Sequence, residues 1–476
     1  MKGEAILEKV CGSIDVLVEA GKAYEGLFPS LLDLETHEML RELPPPIEGQ
    51  RMHDRAHPGC NPMHDHPTLK AMYGLSRALD RGDYSEAADR YLRRFATHCT
   101  GTATGLFPWG EHAFWDFEKD CVGDSHRFGD AAVMANQHWD GTALHDHLRQ
   151  APVWLWEKLY AFNPQCVERF AEGLDYHYKA GEPRRYMRHA YIEVRARHKP
   201  WPRSQDYPRH GGFYILDWSC AYVKTGRGDF LRQIHEMVDY AWPRRDDKGV
   251  LLLHIVPGDA QDYNVNGVAQ TLSLAASLLE SAVLLEDREP GLAQRMRERA
   301  GVYIGGFLGA PHDLENNFIV STARRGTGEP LGNAPVWGSV YGLWPAAYVA
   351  LMCLCTYRLT EDERLRVWAE GVGRCYMKTA FPEGVAIPAM DPGLGIELLG
   401  DLYDLTGDVS WLKGGLTLAE QMIGIYMDGT LVRGAAGIDW YESQMVPGDL
   451  LHGLARLALI AVDRENCPMD ANYSGR

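Results

Sequence analysis

Several things that would otherwise dominate the reading are missing from this chain. Its 10 cysteines are scattered over 476 residues, with Cys353 and Cys355 the only close pair, so neither the CxxC spacing of a zinc scaffold nor a small disulfide framework is present. They read as buried thiols or incidental bridges. No stretch reaches the ~18–20 uncharged apolar residues of a membrane span; residues 340–354 come nearest and contain Pro345. No run of Lys and Arg offsets a net charge of -17 and a pI near 5.6, which excludes nucleic acid as a natural partner. Residues 1–21 alternate charged and apolar side chains and lack the unbroken apolar core of a signal peptide. The expected location is cytoplasmic, or periplasmic or secreted after loss of a leader. Low-complexity tracts are absent, and residues 43–47, with three consecutive prolines, are the stiffest break.

What is present is helical periodicity. Between residues 68 and 96, Leu69, Met72, Leu75, Leu79, Tyr91, Leu92 and Phe95 recur mostly at spacings of three and four, interrupted by Arg81-Gly82-Asp83; this predicts a helical hairpin. The pattern returns at 152–180, 213–242, 266–304, 337–378, 394–427 and 447–463. Breaks such as 224–229 and 405–409 pair a Gly suited to a helix C-terminus with an Asp suited to the next N-cap. About six to seven hairpins in succession must bury their inner faces against one another. With aromatic and polar residues gathered where helices end, the expected fold is mainly α, an α/α toroid. It is read as one domain over 1–476, with a helical segment at 1–46 packed on the ring. Residues 249–256 and 317–321 are β-prone pieces expected in the connections.

Three polar clusters interrupt this helical sequence: Trp109-Gly110-Glu111-His112, His145-Asp146-His147 and Tyr186-Met187-Arg188-His189. Imidazole and carboxylate suit a borderline divalent cation, and an arginine beside a ligand faces whatever that cation holds. Each cluster also has a plainer reading. Trp109 is equally a core aromatic, Asp146 an N-cap for the helix that follows, and the arginines of the turn-rich stretch 181–188 a solvated face. In that order, WGEH, an HD pair and YMRH, the chain resembles the metal-dependent pectate lyases with an α/α toroid fold. The resemblance is strongest over about residues 105–220. It implies His112, Asp146 and His189 as metal ligands and Arg188 as the base. Asp146 stands where that family usually has Glu, one methylene longer. The implied cofactor is Mn, Ni, Co, Zn or Ca, and the implied partner an acidic polysaccharide or oligosaccharide.

The chemistry so implied is β-elimination: the cation spreads the charge of a uronate carboxylate, a base removes the C5 proton, and the C4 glycosidic bond breaks. A free guanidinium is almost never neutral in water, so Tyr186, His210 and Tyr214 are the alternative bases. Trp109, His64, His145, Arg209, Tyr214, Tyr441 and Glu442 are the expected substrate contacts. Asp65, just after His64, is read as a cap for a helix from Thr68. Alternative functions are a glycoside or unsaturated-uronyl hydrolase, drawing on Asp116, Asp217, Asp262, Glu397 or Glu442, a sugar epimerase, and a carbohydrate-binding scaffold.

Overall fold

A computed structural model describes residues 3–129, 141–147, 149–180, 185–197, 205–254, 264–338 and 344–475. Among them are fourteen α-helices: α1 (Gly3–Gly21), α2 (Pro62–Ala78), α3 (Gly82–Arg94), α4 (Val153–Phe162), α5 (Pro164–Gly173), α6 (Pro208–Thr225), α7 (Gly228–Ala241), α8 (Val268–Leu285), α9 (Pro290–Leu308), α10 (Ala346–Thr360), α11 (Glu363–Lys378), α12 (Met390–Thr406), α13 (Val409–Tyr426) and α14 (Pro447–Val462). Consecutive helices from α2 to α13 pack as six hairpins, and α1 packs on α14 as a seventh pair.

Two kinds of helix build the ring. α7 buries Phe230, Ile234, Met237 and Val238, a single stripe at helical spacing, and α3 and α5 are equally one-sided. α2, α6, α8, α10, α12 and α14 are buried almost all round, as helices enclosed by others must be. Around the ring, α6 packs on α8, α8 on α10, α10 on α12, α12 on α14 and α14 on α2, while α4 touches both α3 and α6 and closes the circuit. The fold is an α/α toroid. α8 is long and apolar enough to cross a membrane by composition, nearer to that limit than residues 340–354; here it is an inner helix of the ring.

The caps partly follow the expected pattern. Gly226 and Gly407 end α6 and α12 in the left-handed region, and Asp408 caps α13 by accepting from Ser410 N. Asp229 does not cap α7, which already begins at Gly228; its carboxylate pairs with Arg227. α2 starts at Pro62 rather than Thr68, capped by Asn61, so Asp65 lies inside the helix and accepts from Tyr91 Oη at 2.6 Å.

Short antiparallel strands fill the connections. β1 (Leu31–Asp33) pairs with β10 (Trp440–Glu442); β2 (Gly59–Cys60), β3 (Ala113–Asp116) and β4 (Cys121–Asp124) form a second sheet; β5 (Leu144–His145) pairs with β6 (Ala190–Tyr191); and β7 (Val265–Gly267), β8 (Val320–Arg324) and β9 (Pro330–Asn333) form a fourth. The β-prone piece at 317–321 lies mostly ahead of β8. That at 249–256 makes only isolated bridges at Leu251 and Leu252, and its last two residues lie outside the described residues.

Candidate functional site

The three polar clusters, dispersed over about eighty residues of sequence, meet in space. β5 and β6 pair with His145 opposite Ala190, which sets Asp146 beside His189. Gly110 brings in the third cluster. Its φ is +100°, and a Cβ there would lie 1.6 Å from the Asp146 carbonyl oxygen, so only glycine lets the two segments touch. Asn61 clamps the same turn, donating from Nδ2 to Gly110 O at 2.7 Å. As a result Glu111, His112, Asp146 and His189 each offer a donor atom within 4.8 Å of the others, all buried.

Further groups orient this quartet. His112 Nδ1 lies 3.1 Å from Asp54 Oδ1, while its Nε2 faces Glu111 at 3.3 Å. His210 Nε2 is 3.2 Å from Asp146 Oδ1, and Arg188 reaches Glu111 at 2.9 Å and Asp146 at 3.6 Å. Arg51 pairs with Asp54 at 2.6 Å and also with Glu111. Burial alone would raise the Glu111 carboxyl, but Arg188 and Arg51 hold it down to about 2. Asp146 is likewise pushed up by burial and held well below the usual range by Arg188, His189 and His210. Burial and Arg188 hold His189 neutral, and burial brings His210 down to about 4 against the pull of Asp146. Burial would lower Arg188, but Glu111 and Asp146 outweigh it and keep the guanidinium charged.

Through Glu111, the one quartet member among its described lining residues, the quartet borders a cavity of about 440 Å³ whose wall also includes Arg51, Arg149, Arg188, Arg209 and Tyr207. Trp344, Tyr348, Gln50 and Gln444 complete much of the rest. Of the expected site residues, Arg188 and Arg209 line it directly. Tyr186 does not: its hydroxyl donates to the carbonyls of Asp206 and Tyr207 at 3.0 and 2.8 Å. Tyr214 points into the interior, 2.9 Å from His177 Nδ1.

Trp109 is fully buried among Phe95, Phe107, Trp156 and Phe170, so its ring offers no face to a sugar. Its Nε1–H donates to His145 Nε2 at 3.0 Å. That leaves the His145 proton on Nδ1, which donates to His177 Nε2 at 2.8 Å, and His177 in turn donates to Met187 O at 2.9 Å. His145 is thus a structural relay behind the site. Asp146 caps no helix, because α4 begins after Pro152. His64 is buried away from the cavity wall and held at about 3 by burial and Arg149. Tyr441 is buried in β10, and Glu442 is taken up by Arg55 at 2.6 and 2.7 Å.

The carboxylates named for a hydrolase are engaged in the interior as well. Asp116 meets Arg127, Asp217 meets His147 and Trp156, and Glu397 meets His452 and Arg456. Asp262, Arg184 and Arg203 lie outside the described residues. Sequence reasoning missed Asp54, Arg51, Arg149, Tyr207 and Trp344. Asp54 lies within the histidine-dense stretch His53-Asp54-Arg55-Ala56-His57, while the others carried no local signal.

No protein-family model matches the chain, and no curated protein matches it. Solved structures with a loosely similar course of chain include a cellobiose 2-epimerase from Bacillus thermoamylovorans, 10% identical, with 97% of this chain and 100% of that one covered and a TM-score of 0.48. An unsaturated glucuronyl hydrolase from a Bacillus species is 11% identical over 97% of both chains, with a TM-score of 0.46. A sugar epimerase from a ruminal bacterium is 10% identical, covering 80% of this chain and 88% of that one, with a TM-score of 0.48. These likenesses are loose, and no residue role is taken from them.

Proposed function

We propose that this chain is a carbohydrate-active enzyme that cleaves a uronate-containing glycan by β-elimination, with a divalent cation held by Glu111, His112, Asp146 and His189. The observation that carries this reading is the buried quartet of two imidazoles and two carboxylates at the edge of an arginine-lined cavity. The donors fit a cation: both ring nitrogens of His189 are buried without a hydrogen-bond partner among the described residues, and the mixed N and O set suits Mn, Co, Ni or Zn better than Ca, which prefers oxygen alone. Glu111 enlarges the set of three that the resemblance implied and offsets the shorter reach of Asp146. A cation bound there supplies positive charge that acidifies the proton α to a substrate carboxylate.

The chain's own residues supply the rest. Arg188 presents its guanidinium to the cavity beside the quartet, where it can steady the substrate carboxylate. The resemblance makes it the base; with Glu111 and Asp146 both against it, it holds its proton. The role open to a tyrosine beside positive charge passes from Tyr186 and Tyr214, which face the interior, to Tyr207 in the cavity wall.

The test is absorbance at the unsaturated-uronate band as chelated protein, then protein resupplied with Mn²⁺, Ni²⁺ or Ca²⁺, is incubated with pectate, glucuronan, alginate and glycosaminoglycans. Metal-restored absorbance supports the lyase. New reducing ends without absorbance would instead select a glycoside or unsaturated-uronyl hydrolase. An unchanged polymer with interconverted monosaccharides selects an epimerase.

A further inference from the structure

Charge in the cavity wall does not balance. Among the described residues four guanidiniums face it, those of Arg51, Arg149, Arg188 and Arg209, against one lining carboxylate, Glu111. Three of the four are matched by neighbouring acids. Arg51 has Asp54 and Glu111, Arg188 has Glu111 and Asp146, and Arg149 is gripped by Asp449 at 2.5 and 3.4 Å and by the Tyr348 hydroxyl.

Arg209 is the exception. No carboxylate among the described residues pairs with it, and its Nε is buried without a hydrogen-bond partner. Its guanidinium lies 5.1 Å from the ring centroid of Trp344, another wall residue. Cation–π attraction to an indole steadies a guanidinium without using its N–H donors. Burial disfavours its charged form and Arg188 adds to that, while Asp146, Glu111 and Tyr207 pull the other way without forming a pair with it. A folded protein that holds an arginine this way has kept a fork of donors for an anion that arrives from outside.

We propose that Arg209, set over the Trp344 ring, is a carboxylate-binding subsite that selects acidic over neutral sugars, separate from the cation quartet. It binds the carboxylate of a uronate unit through the planar fork. The proposal rests on the cavity taking an acidic glycan, but not on which bond is then broken.

Calorimetric titration of the full chain with a uronate oligosaccharide and with its carboxyl-reduced, neutral counterpart tests it. The wild type should bind the acidic ligand about tenfold or more tightly than the neutral one. Arg209→Gln should remove most of that preference by weakening the acidic ligand far more than the neutral one, Arg209→Lys should keep only part of it because the fork is lost, and Trp344→Leu should fall between wild type and Arg209→Gln. A wild type that does not discriminate, or an Arg209→Gln variant that loses both ligands equally or neither, overturns the proposal. Lyase absorbance is read in parallel. Preference lost with Arg209 but no double bond formed keeps the subsite and sinks the lyase, whereas a double bond formed with the preference intact in Arg209→Gln does the reverse.

Discussion

At the scale of single residues, the same side-chain types serve opposite ends according to what surrounds them. His189 is buried with neither nitrogen hydrogen-bonded among the described residues, whereas His145 is fully used in a relay. His189→Ala should therefore abolish divalent-cation binding, measured by equilibrium dialysis with elemental analysis, while leaving the far-UV spectrum intact. Asp54→Asn, which weakens the hold on His112 Nδ1 without removing a donor of the quartet, should lower cation affinity by about 10–100-fold. Trp109 belongs to the core: Trp109→Ala should cost ~3–5 kcal/mol in a denaturant titration. A loss of glycan affinity with no loss of stability would return Trp109 to the substrate list.

At the scale of elements, the site depends on how short strands and turns meet at the ends of helices. Asn61 does two things at once, accepting from Met63 N at the start of α2 and donating to Gly110 O in the turn that carries Glu111 and His112. Gly110 is where the turn and β5 come into contact. Gly110→Ala adds a φ penalty of ~1–3 kcal/mol and a Cβ inside the Asp146 carbonyl, so it should both lower the unfolding midpoint and weaken cation binding. Gly141 has a comparable φ of +88° and no described atom within 4 Å of its Cβ position; Gly141→Ala should carry the backbone penalty alone and leave cation affinity unchanged. If the two variants behave alike, the Gly110 contact does not shape the site.

At the scale of the whole molecule, closure of the ring relies on buried polar joints as well as apolar packing. Glu397 of α12 meets His452 and Arg456 of α14 and the backbone N–H of Asn472, while Arg456 continues to Asp401 and Asp404. Burial would raise the Glu397 carboxyl, but His452 and Arg456 hold it down to about 2. A depressed carboxylate contributes stability that is fully present above its unfolded value of roughly 4.3 and fades as pH falls toward 2. Thermal unfolding followed across that window should drop steeply for the wild type and less steeply for Glu397→Gln, which has no such proton to take up. Identical acid limbs would show that α12 and α14 are held together by packing alone.

How much of this was legible beforehand follows from how local each signal is. Helical periodicity and glycine breaks act within a few residues, so the succession of hairpins and the mainly α class could be read directly, as could the polar clusters at 109–112, 145–147 and 186–189. Residue roles were legible only where neighbours in sequence decide them. Whether Trp109 faces a sugar or a core depends on Phe170 and Trp156, and whether Asp146 caps a helix or joins a donor set depends on the pairing of β5 with β6. The sequence by itself determined the helices, their pairing into hairpins and the chemistry on offer. Only the tertiary structure decided which imidazoles are free, which arginine lacks an acid and which face of each cluster meets the cavity, because those are set by contacts between segments tens to hundreds of residues apart.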